Sequence, residues 1–214
     1  MSPRRHILPN ARSQDLDIST VTASKQDNTL FRIKNKYWVI LADEATGKKL
    51  AEFVATKKSM PERICELISK LKAKGITVKV VRMDNAGENK ALHKKMHSNE
   101  WKMFWCEVEY TAPNTPQQNS RAETSFTGLS GRARAMMNAA NIPNGTRGKV
   151  GIEALKTAVQ LDGLVPVTIN GRTATRDEHF FGDKPSFVKG NALRVFGEMG
   201  IVKNEKKRDK RKLG

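Results

Sequence analysis

Three acidic residues stand where carboxylates could hold metal ions. Asp17 lies within the apolar stretch LDI, Asp84 ends the stretch TVKVVRMD, and Glu123 comes three residues before Phe126 on a predicted helix, at the edge of its buried stripe. A carboxylate that points inward needs a cation, a hydrogen-bond network or a metal. We expect no arginine beside these acids. Three carboxylates without a neighbouring arginine suit hard divalent cations such as Mg²⁺ or Mn²⁺. Two such ions in one site promote phosphoryl transfer. Taken singly, Asp17 or Glu123 is more typical of a surface acid or a salt-bridge partner, and Asp84-Asn85 is typical of a turn.

The elements that must position these acids follow from the hydrophobic pattern. The predicted order is a strand at 15–20, two strands within 36–58 joined by a turn at 43–48, a helix at 59–75, a strand at 77–84, a helix at 87–101, a strand at 104–111, and helices at 120–141 and 151–161. This order predicts an α/β fold with a mixed five-stranded sheet flanked by helices. The three acids converge if their two strands are neighbours and the helix packs across the strand ends.

Two local signals set expectations that the structure can test. Ser59 and Glu62 have the spacing of a capping box at the start of the helix 59–75, and Gly75 is placed to end it. After 161, the chain is expected to be irregular until 193–202.

The charge of the chain points to a polyanionic partner. Lysine and arginine total 39 against 22 acids, which gives a net charge of +17. Nucleic acid is the leading candidate for such a surface. Two cysteines exclude a disulfide framework, and the sequence contains neither an apolar run long enough for a membrane span nor a signal peptide. We therefore expect neither a membrane nor a small-molecule substrate as partner.

Further candidate residues flank Glu123. The amides Gln118 and Asn119 fall in the loop TPQQN, where they could orient DNA or the carboxylates. The candidates for phosphate contacts are Arg121, Arg132, Arg134, Arg147 and Lys149. A solvated helix face explains the same basic residues about equally well. His93 and His97 have the i, i+4 spacing of metal ligands, but no accompanying zinc-ligand pattern exists, so we do not predict zinc.

Two segments carry a resemblance to a known family. RMDNAGEN (82–89) and YTAPNTPQQNSRAE (110–123) resemble the catalytic core of copia-type LTR-retrotransposon integrases, which carry a D-D-E triad. The spacing of 39 positions between Asp84 and Glu123 is similar to that of the family. The likeness continues through FFGDKPSFVKGNALRVFG (180–197) and covers about residues 12–214. Asn89 and Ser120 depart from the family pattern, which has Phe and Gly there, and these 214 residues do not contain the His/Cys zinc pattern of the family.

The resemblance implies both a fold and an activity. It implies an RNase H-like core at 10–145, a helical or irregular extension at 146–202 and a basic tail at 203–214. It implies a polynucleotidyl transferase with endonuclease activity, in which Asp17, Asp84 and Glu123 bind two Mg²⁺ or Mn²⁺ ions. The reactions implied are trimming of the element's DNA 3′ end and strand transfer into target DNA. It also implies a homo-oligomer that acts in the nucleus, with a cytoplasmic particle stage as a further option.

Two alternatives stay open. The first is an integrase-derived, domesticated or catalytically impaired DNA-binding module, which the departures at Asn89 and Ser120 favour. The second is an RNase H-like nuclease that cuts hybrids, against which the TPQQN segment and the carboxyl-terminal extension speak.

Overall fold

The elements of the fold alternate between strands and helices. The computed structural model describes residues 13–21, 37–101, 106–111, 116–182 and 194–198, with the backbone alone for 13–21 and 116–122. The strands are β1 (Ser13–Val21), β2 (Tyr37–Asp43), β3 (Lys49–Val54), β4 (Thr77–Met83), β5 (Glu107–Tyr110), β6 (Pro166–Ile169) and β7 (Arg172–Thr175). The helices are α1 (Met60–Ala73), α2 (Gly87–Met96), α3 (Pro116–Ala139), α4 (Asn144–Gly163) and α5 (Arg176–Phe181).

Five of the strands form one mixed sheet in the order β3-β2-β1-β4-β5. β1 lies at the centre, antiparallel to β2 and parallel to β4, and β5 is parallel to β4. Parallel neighbours need a crossover connection, and the chain passes through α1 before β4 and through α2 before β5. The prediction of a mixed α/β fold with flanking helices is thus confirmed.

Alternating residues of β2 divide the interior into two cores. Val39 and Leu41 belong to a buried cluster that includes apolar residues of α1 and α2. Trp38 and Ile40 belong to a second cluster, with residues of α3 and α4. Because side chains alternate between the two faces of a strand, each face of the sheet is covered by its own pair of helices. Helix α3, which carries Glu123, therefore covers one face.

The helices that follow the sheet begin earlier than the sequence predicts. Helix α3 starts at Pro116 instead of 120, and α4 starts at Asn144 instead of 151. Proline lacks an N–H donor, and this loss costs nothing in the first turn of a helix, where such donors have no partner. Gln118 and Asn119 therefore lie on a helix, and the expectation of a loop at these two residues was wrong.

The start of α1 also differs from the expectation. The Ser59 hydroxyl donates to the carbonyl oxygen of Thr56 at 2.8 Å and makes no capping bond. A 3₁₀ turn at Lys57–Ser59 precedes the helix and gives Ser59 a helical backbone, which directs its hydroxyl backwards. Glu62 contacts Lys95 instead of closing a capping box. The end of the helix is as predicted, since Gly75 has a φ of +79°.

A hairpin occupies part of the segment that was expected to be irregular. Strands β6 and β7 pair antiparallel, and Asn170 and Gly171 form their turn with φ angles of 50° and 77°. An Asn-Gly pair suits this turn because both central residues need a positive φ. Helix α5 follows directly, with Thr175 and Glu178 in a capping box. Of the element expected at 193–202, the structure describes 194–198, which contain a turn and no strand.

The predicted domain division falls within α4. Leu155 and Ala158 of α4 share a buried cluster with Phe126 and Leu129 of α3, so residues on both sides of 145 pack together. The division into 10–145 and 146–202 stays a prediction, and the tail 203–214 lies outside the described residues. No helix in the described ranges has the length and apolar character that a membrane crossing requires.

Candidate active site

The central strands bring two of the three predicted acids onto neighbouring strands. Asp17 of β1 pairs with Ala42 of β2 on one side and with Arg82 of β4 on the other. Asp84 is the first residue after β4, two positions beyond Arg82. With strands about 4.8 Å apart and a rise of about 3.3 Å per residue, this offset corresponds to about 8 Å between the two Cα atoms. The sequence predicted both strands, and the register brings their acids together.

Helix α3 carries the third acid over the same part of the sheet. It packs against β1 and β2. Thr124 and Ser125 line a cavity together with Ala42, the register partner of Asp17. Glu123 therefore lies on a turn of α3 that borders this cavity. Its side chain is exposed, so the expectation that it faces the edge of the buried stripe was wrong; the buried residues that follow it are Ser125 and Phe126.

Hydrogen bonds hold the carboxylate of Asp84 in one orientation. Its Oδ1 accepts from the backbone N–H of Ala86 at 3.0 Å and from Asn89 Nδ2 at 2.6 Å. Asn89 is fully buried in α2, and its Nδ2 also donates to the Asp84 carbonyl oxygen at 3.3 Å. Neither bond involves Oδ2, and Asp84 is only half-buried. One carboxylate oxygen thus holds the turn, and the geometry leaves the other for a ligand.

Asn89 is a residue whose role the sequence did not indicate. It was noted only as a departure from the Phe of the family pattern. The signal that could have identified it is its spacing, since a residue in the first turn of a helix that starts just after Asp84 can reach back to that carboxylate.

An arginine lies beside the acids, contrary to the expectation. Arg82 is the register partner of Asp17, and its guanidinium contacts Glu44 at 3.3 Å and Glu109 at 3.0 Å. These two glutamates come from the β2–β3 turn and from the edge strand β5. Arg82 is therefore already engaged by acids on either side, and its charge is balanced before any metal or DNA approaches.

A cavity of about 430 Å³ is bordered by Ala42, the register partner of Asp17, and by Thr124, the residue after Glu123. Its walls come from the β2–β3 turn, from Thr124 and Ser125 of α3, and from the hairpin β6–β7. Lys49 and Arg176 also line it. Both of these cations are held by Asp162 of α4, with Nζ–Oδ2 at 2.6 Å and Nη1–Oδ2 at 2.8 Å. The cavity is thus built on a fixed group of charges.

Asp162 is the buried centre of that group. Only 4% of its side chain is exposed, and Arg132 adds a third contact, Nη1–Oδ1 at 2.6 Å. Burial raises the pKa of Asp162, but the hydrogen bond and charge of Lys49, followed by Arg132 and Arg176, outweigh burial and place the pKa below its ordinary value. Burial lowers the pKa of Lys49, and its bond to Asp162 offsets this only in part. These charges join β3, α3, α4 and α5.

The predicted phosphate-binding residues divide into engaged and exposed side chains. Arg132 is bound to Asp162, and Arg147 Nε donates to the Ile142 carbonyl oxygen at 2.8 Å. Arg134 and Lys149 are exposed. The side chains of Gln118, Asn119 and Arg121 lie outside the described residues. The assignment of these seven residues to DNA stays a prediction.

The donor set suits a hard divalent cation. The candidate ligands are all carboxylate oxygens, which Mg²⁺ and Mn²⁺ prefer. Among the side chains that the structure describes, no group of three or more His, Cys, Asp or Glu residues is placed to hold a metal; the side chain of Asp17 is not among them. His93 and His97 likewise have no third ligand of these types within the described part of the chain.

Comparison with known proteins identifies the fold. No family model matches the chain, and no curated protein matches it. Among solved structures, the chain is similar to the catalytic core domain of BIV integrase in crystal form I, with a TM-score of 0.52 and 15% sequence identity. The match covers 80% of this chain and 95% of that chain. The chain thus shares the fold of a retroviral integrase catalytic core.

Proposed function

We propose that this chain is the catalytic domain of a copia-type retrotransposon integrase, an RNase H-like polynucleotidyl transferase that trims DNA 3′ ends and joins them to target DNA. One observation carries the proposal. In a fold shared with an integrase core, Asp17 lies on β1, Asp84 directly follows the neighbouring parallel strand β4, and Glu123 lies on α3, which packs against β1. The basic surface of the chain suits the DNA substrate.

The three acids have distinct positions in the proposed mechanism. Asp17, Asp84 and Glu123 would hold two Mg²⁺ or Mn²⁺ ions, which activate an attacking oxygen and stabilise the leaving oxygen of a phosphodiester. Asn89 fixes Asp84 Oδ1 and so directs Oδ2. Arg82, whose charge Glu44 and Glu109 balance, is the register partner of Asp17. Water is the nucleophile for 3′-end trimming, and the freed 3′-hydroxyl is the nucleophile for strand transfer.

The proposed setting follows from the substrate. An enzyme that joins element DNA to chromosomal DNA acts in the nucleus, and a cytoplasmic particle stage can precede that step. Joining two DNA ends to one target requires two active sites, so a homo-oligomer is part of the proposal. Gln118, Asn119 and Arg121 at the start of α3 would orient the DNA near Glu123, while Arg134 and Lys149 would contact phosphates.

A second candidate is a DNA-binding module without turnover. The observation that favours it is the bonding of Asp84, because Oδ1 already accepts two hydrogen bonds that stabilise the start of α2. An acid that serves a turn in this way keeps its position even without catalysis. The two candidates differ in whether the same acids are needed for chemistry.

A joining assay separates the two candidates. Strand transfer exchanges one phosphodiester bond for another and therefore also runs in reverse. A branched DNA oligonucleotide that carries a free 3′-hydroxyl at its branch tests this reverse reaction, and it does so without the end sequence of the element. In Mn²⁺, the wild type should resolve the branch, and Asp17→Asn, Asp84→Asn and Glu123→Gln should each lower the rate about 100-fold or more. Glu107→Gln, which changes an exposed acid on β5, is the matched control. An inactive wild type that still binds the branched DNA supports the module without turnover.

A further inference from the structure

A groove on α2 has no role in the site described above. Its volume is about 910 Å³, and its walls include Lys90, His93 and Lys94 of α2, His97 directly after α2, Glu100, and Tyr110 of β5. Lys90, His93, Lys94 and His97 recur at spacings of three and four, so they share one face of the helix and its end. The buried residues Asn89, Leu92 and Met96 form the opposite, inward face. The groove is therefore a basic helix face bordered by an aromatic side chain.

Two of the lysines in this groove have no acidic partner among the residues that the structure describes. Lys90 and Lys94 are exposed, and neither makes an ion pair with a described residue. Lys95, in contrast, contacts Glu62 of α1, and its Nζ lies 3.8 Å from Glu100. The positive charges of Lys90 and Lys94 are thus available to a partner. A partner with regularly spaced negative charges suits two cations one helical turn apart.

The histidines add a second donor pair. His97 Nδ1 lies 3.0 Å from the His93 carbonyl oxygen and therefore carries the proton that it donates to this oxygen. His93 Nδ1 is 2.7 Å from the Tyr110 hydroxyl, and the two imidazole rings are 4.6 Å apart. Burial, followed by the charge of His97, lowers the pKa of His93. His93 is therefore neutral near pH 7 and gains charge as the pH falls.

The groove opens next to the candidate catalytic acid. Lys90 directly follows Asn89, whose amide holds Asp84. On the other wall, Tyr110 pairs with Met83, the residue before Asp84, and Thr111 N–H donates to the Met83 carbonyl oxygen at 3.0 Å. A strand that lies in the groove would therefore reach the carboxyl end of β4. Sites of α/β sheets gather at such ends.

We propose that this groove binds the phosphate backbone of DNA and guides it to Asp84, with Lys90 and Lys94 as the principal contacts. The identity of the partner as DNA rests on the proposed function, whereas the presence of a phosphate-binding groove rests on the geometry alone. The prediction from the sequence placed phosphate contacts on α3 and α4, of which Arg132 and Arg147 are already engaged by the fold. The groove on α2 supplies cations that are not.

The test compares two pairs of lysine substitutions. Lys90→Gln/Lys94→Gln removes both groove charges, and Lys70→Gln/Lys79→Gln removes two exposed lysines on α1 and β4 as a control with the same net charge. Binding to a short labelled DNA duplex is measured by fluorescence anisotropy across a salt series without divalent metal. Lys90→Gln/Lys94→Gln should weaken DNA binding about tenfold and reduce the slope of log affinity against log salt concentration by about two. The control pair should change the affinity and the slope far less. Equal effects of the two pairs would overturn the proposal.

Further arms distinguish the partner and the function. The same binding measurement is repeated with an RNA duplex of the same sequence. If Lys90→Gln/Lys94→Gln weakened the binding of RNA more than the binding of DNA, the assignment of the groove to DNA would be overturned. The affinity of the wild type should rise as the pH falls from about 7.5 to about 5.5, and His93→Gln should flatten that rise; an unchanged rise contradicts the part given to His93. If Lys90→Gln/Lys94→Gln weakens DNA binding but no protein resolves the branched DNA, the proposed function is refuted and the groove proposal stands. If the wild type resolves the branched DNA but the groove substitutions leave DNA binding unchanged, the groove proposal is refuted and the proposed function stands.

Discussion

Replacing Asp162 with asparagine removes the one carboxylate that Lys49, Arg132 and Arg176 share. The substitution keeps the size of the side chain and one neutral acceptor. It leaves Lys49 and Arg176, whose side chains are 15% and 21% exposed, facing each other without a counter-charge. The expected result is a large loss of folding stability with little change in shape.

The magnitude follows from the bonds that are lost. Three hydrogen bonds between charged groups are worth about 1.5–3 kcal/mol each, but the Arg132 side chain is 48% exposed and screened, so its share is small. Removing one partner of a buried ion pair costs about 3–5 kcal/mol. Because asparagine retains a neutral acceptor, we expect Asp162→Asn to lower the free energy of unfolding by about 3–4 kcal/mol.

Urea denaturation at neutral pH measures this loss. Glu153→Gln on the same helix is the matched control, because its contact with Lys156 is exposed and the change should be below about 0.5 kcal/mol. The pKa of Asp162 lies below its ordinary value, so its stabilisation is complete above about pH 4 and is lost as the pH falls through the folded value. The difference between wild type and variant should therefore shrink in acid. A loss below about 1 kcal/mol, or one unaffected by acid, would refute the reasoning.

Two further predictions test the packing and the site. A Cβ on Gly163 would lie 2.1 Å from Asp177 Oδ1, so Gly163→Ala should destabilise the chain by about 2 kcal/mol or more in urea denaturation, whereas Gly131→Ala, with open space around it, should stabilise α3 by up to about 1 kcal/mol. Equal effects of the two alanines would contradict the packing described. Asn89→Leu removes the amide that holds Asp84, so branch resolution should fall about tenfold or more, with a higher Mn²⁺ requirement. An unchanged Mn²⁺ requirement would show that Asn89 does not position the acid.

The sequence predicted the elements whose signals are local. Ile64, Ile68 and Leu71 recur at helical spacing, and all three are buried on α1. The strand before Asp84 and the end of α1 at Gly75 also agree with the structure. Periodicity and turn chemistry depend on neighbouring residues, so one sequence suffices to read them.

Errors arose where a local signal was misread. Pro116 was taken as part of a loop, although proline also suits the first turn of a helix. The pair Asn170-Gly171 was overlooked, although it marks a hairpin between VPVTI and RTAT. Both signals were present in the sequence and could have been used.

The rest of the site could not be read because it depends on distant pairings. Nothing local indicates that Arg82 pairs with Asp17, or that Asp162 meets Lys49 from 113 positions away. Strand register and burial depend on how the elements pack. The residues that surround an acid are therefore known only from the folded chain. The identity of the three candidate acids came from residue types, spacing and resemblance, and their juxtaposition stays the claim to be tested.

The number of Mn²⁺ ions bound per chain, measured by electron paramagnetic resonance on the branched DNA, tests that claim most directly. The account predicts two ions on the wild type, as the two-metal mechanism requires, and loss of one or both in Asp17→Asn, Asp84→Asn and Glu123→Gln. The Glu107→Gln control should bind as the wild type does. The same number of ions on all five proteins would contradict a shared site of Asp17, Asp84 and Glu123.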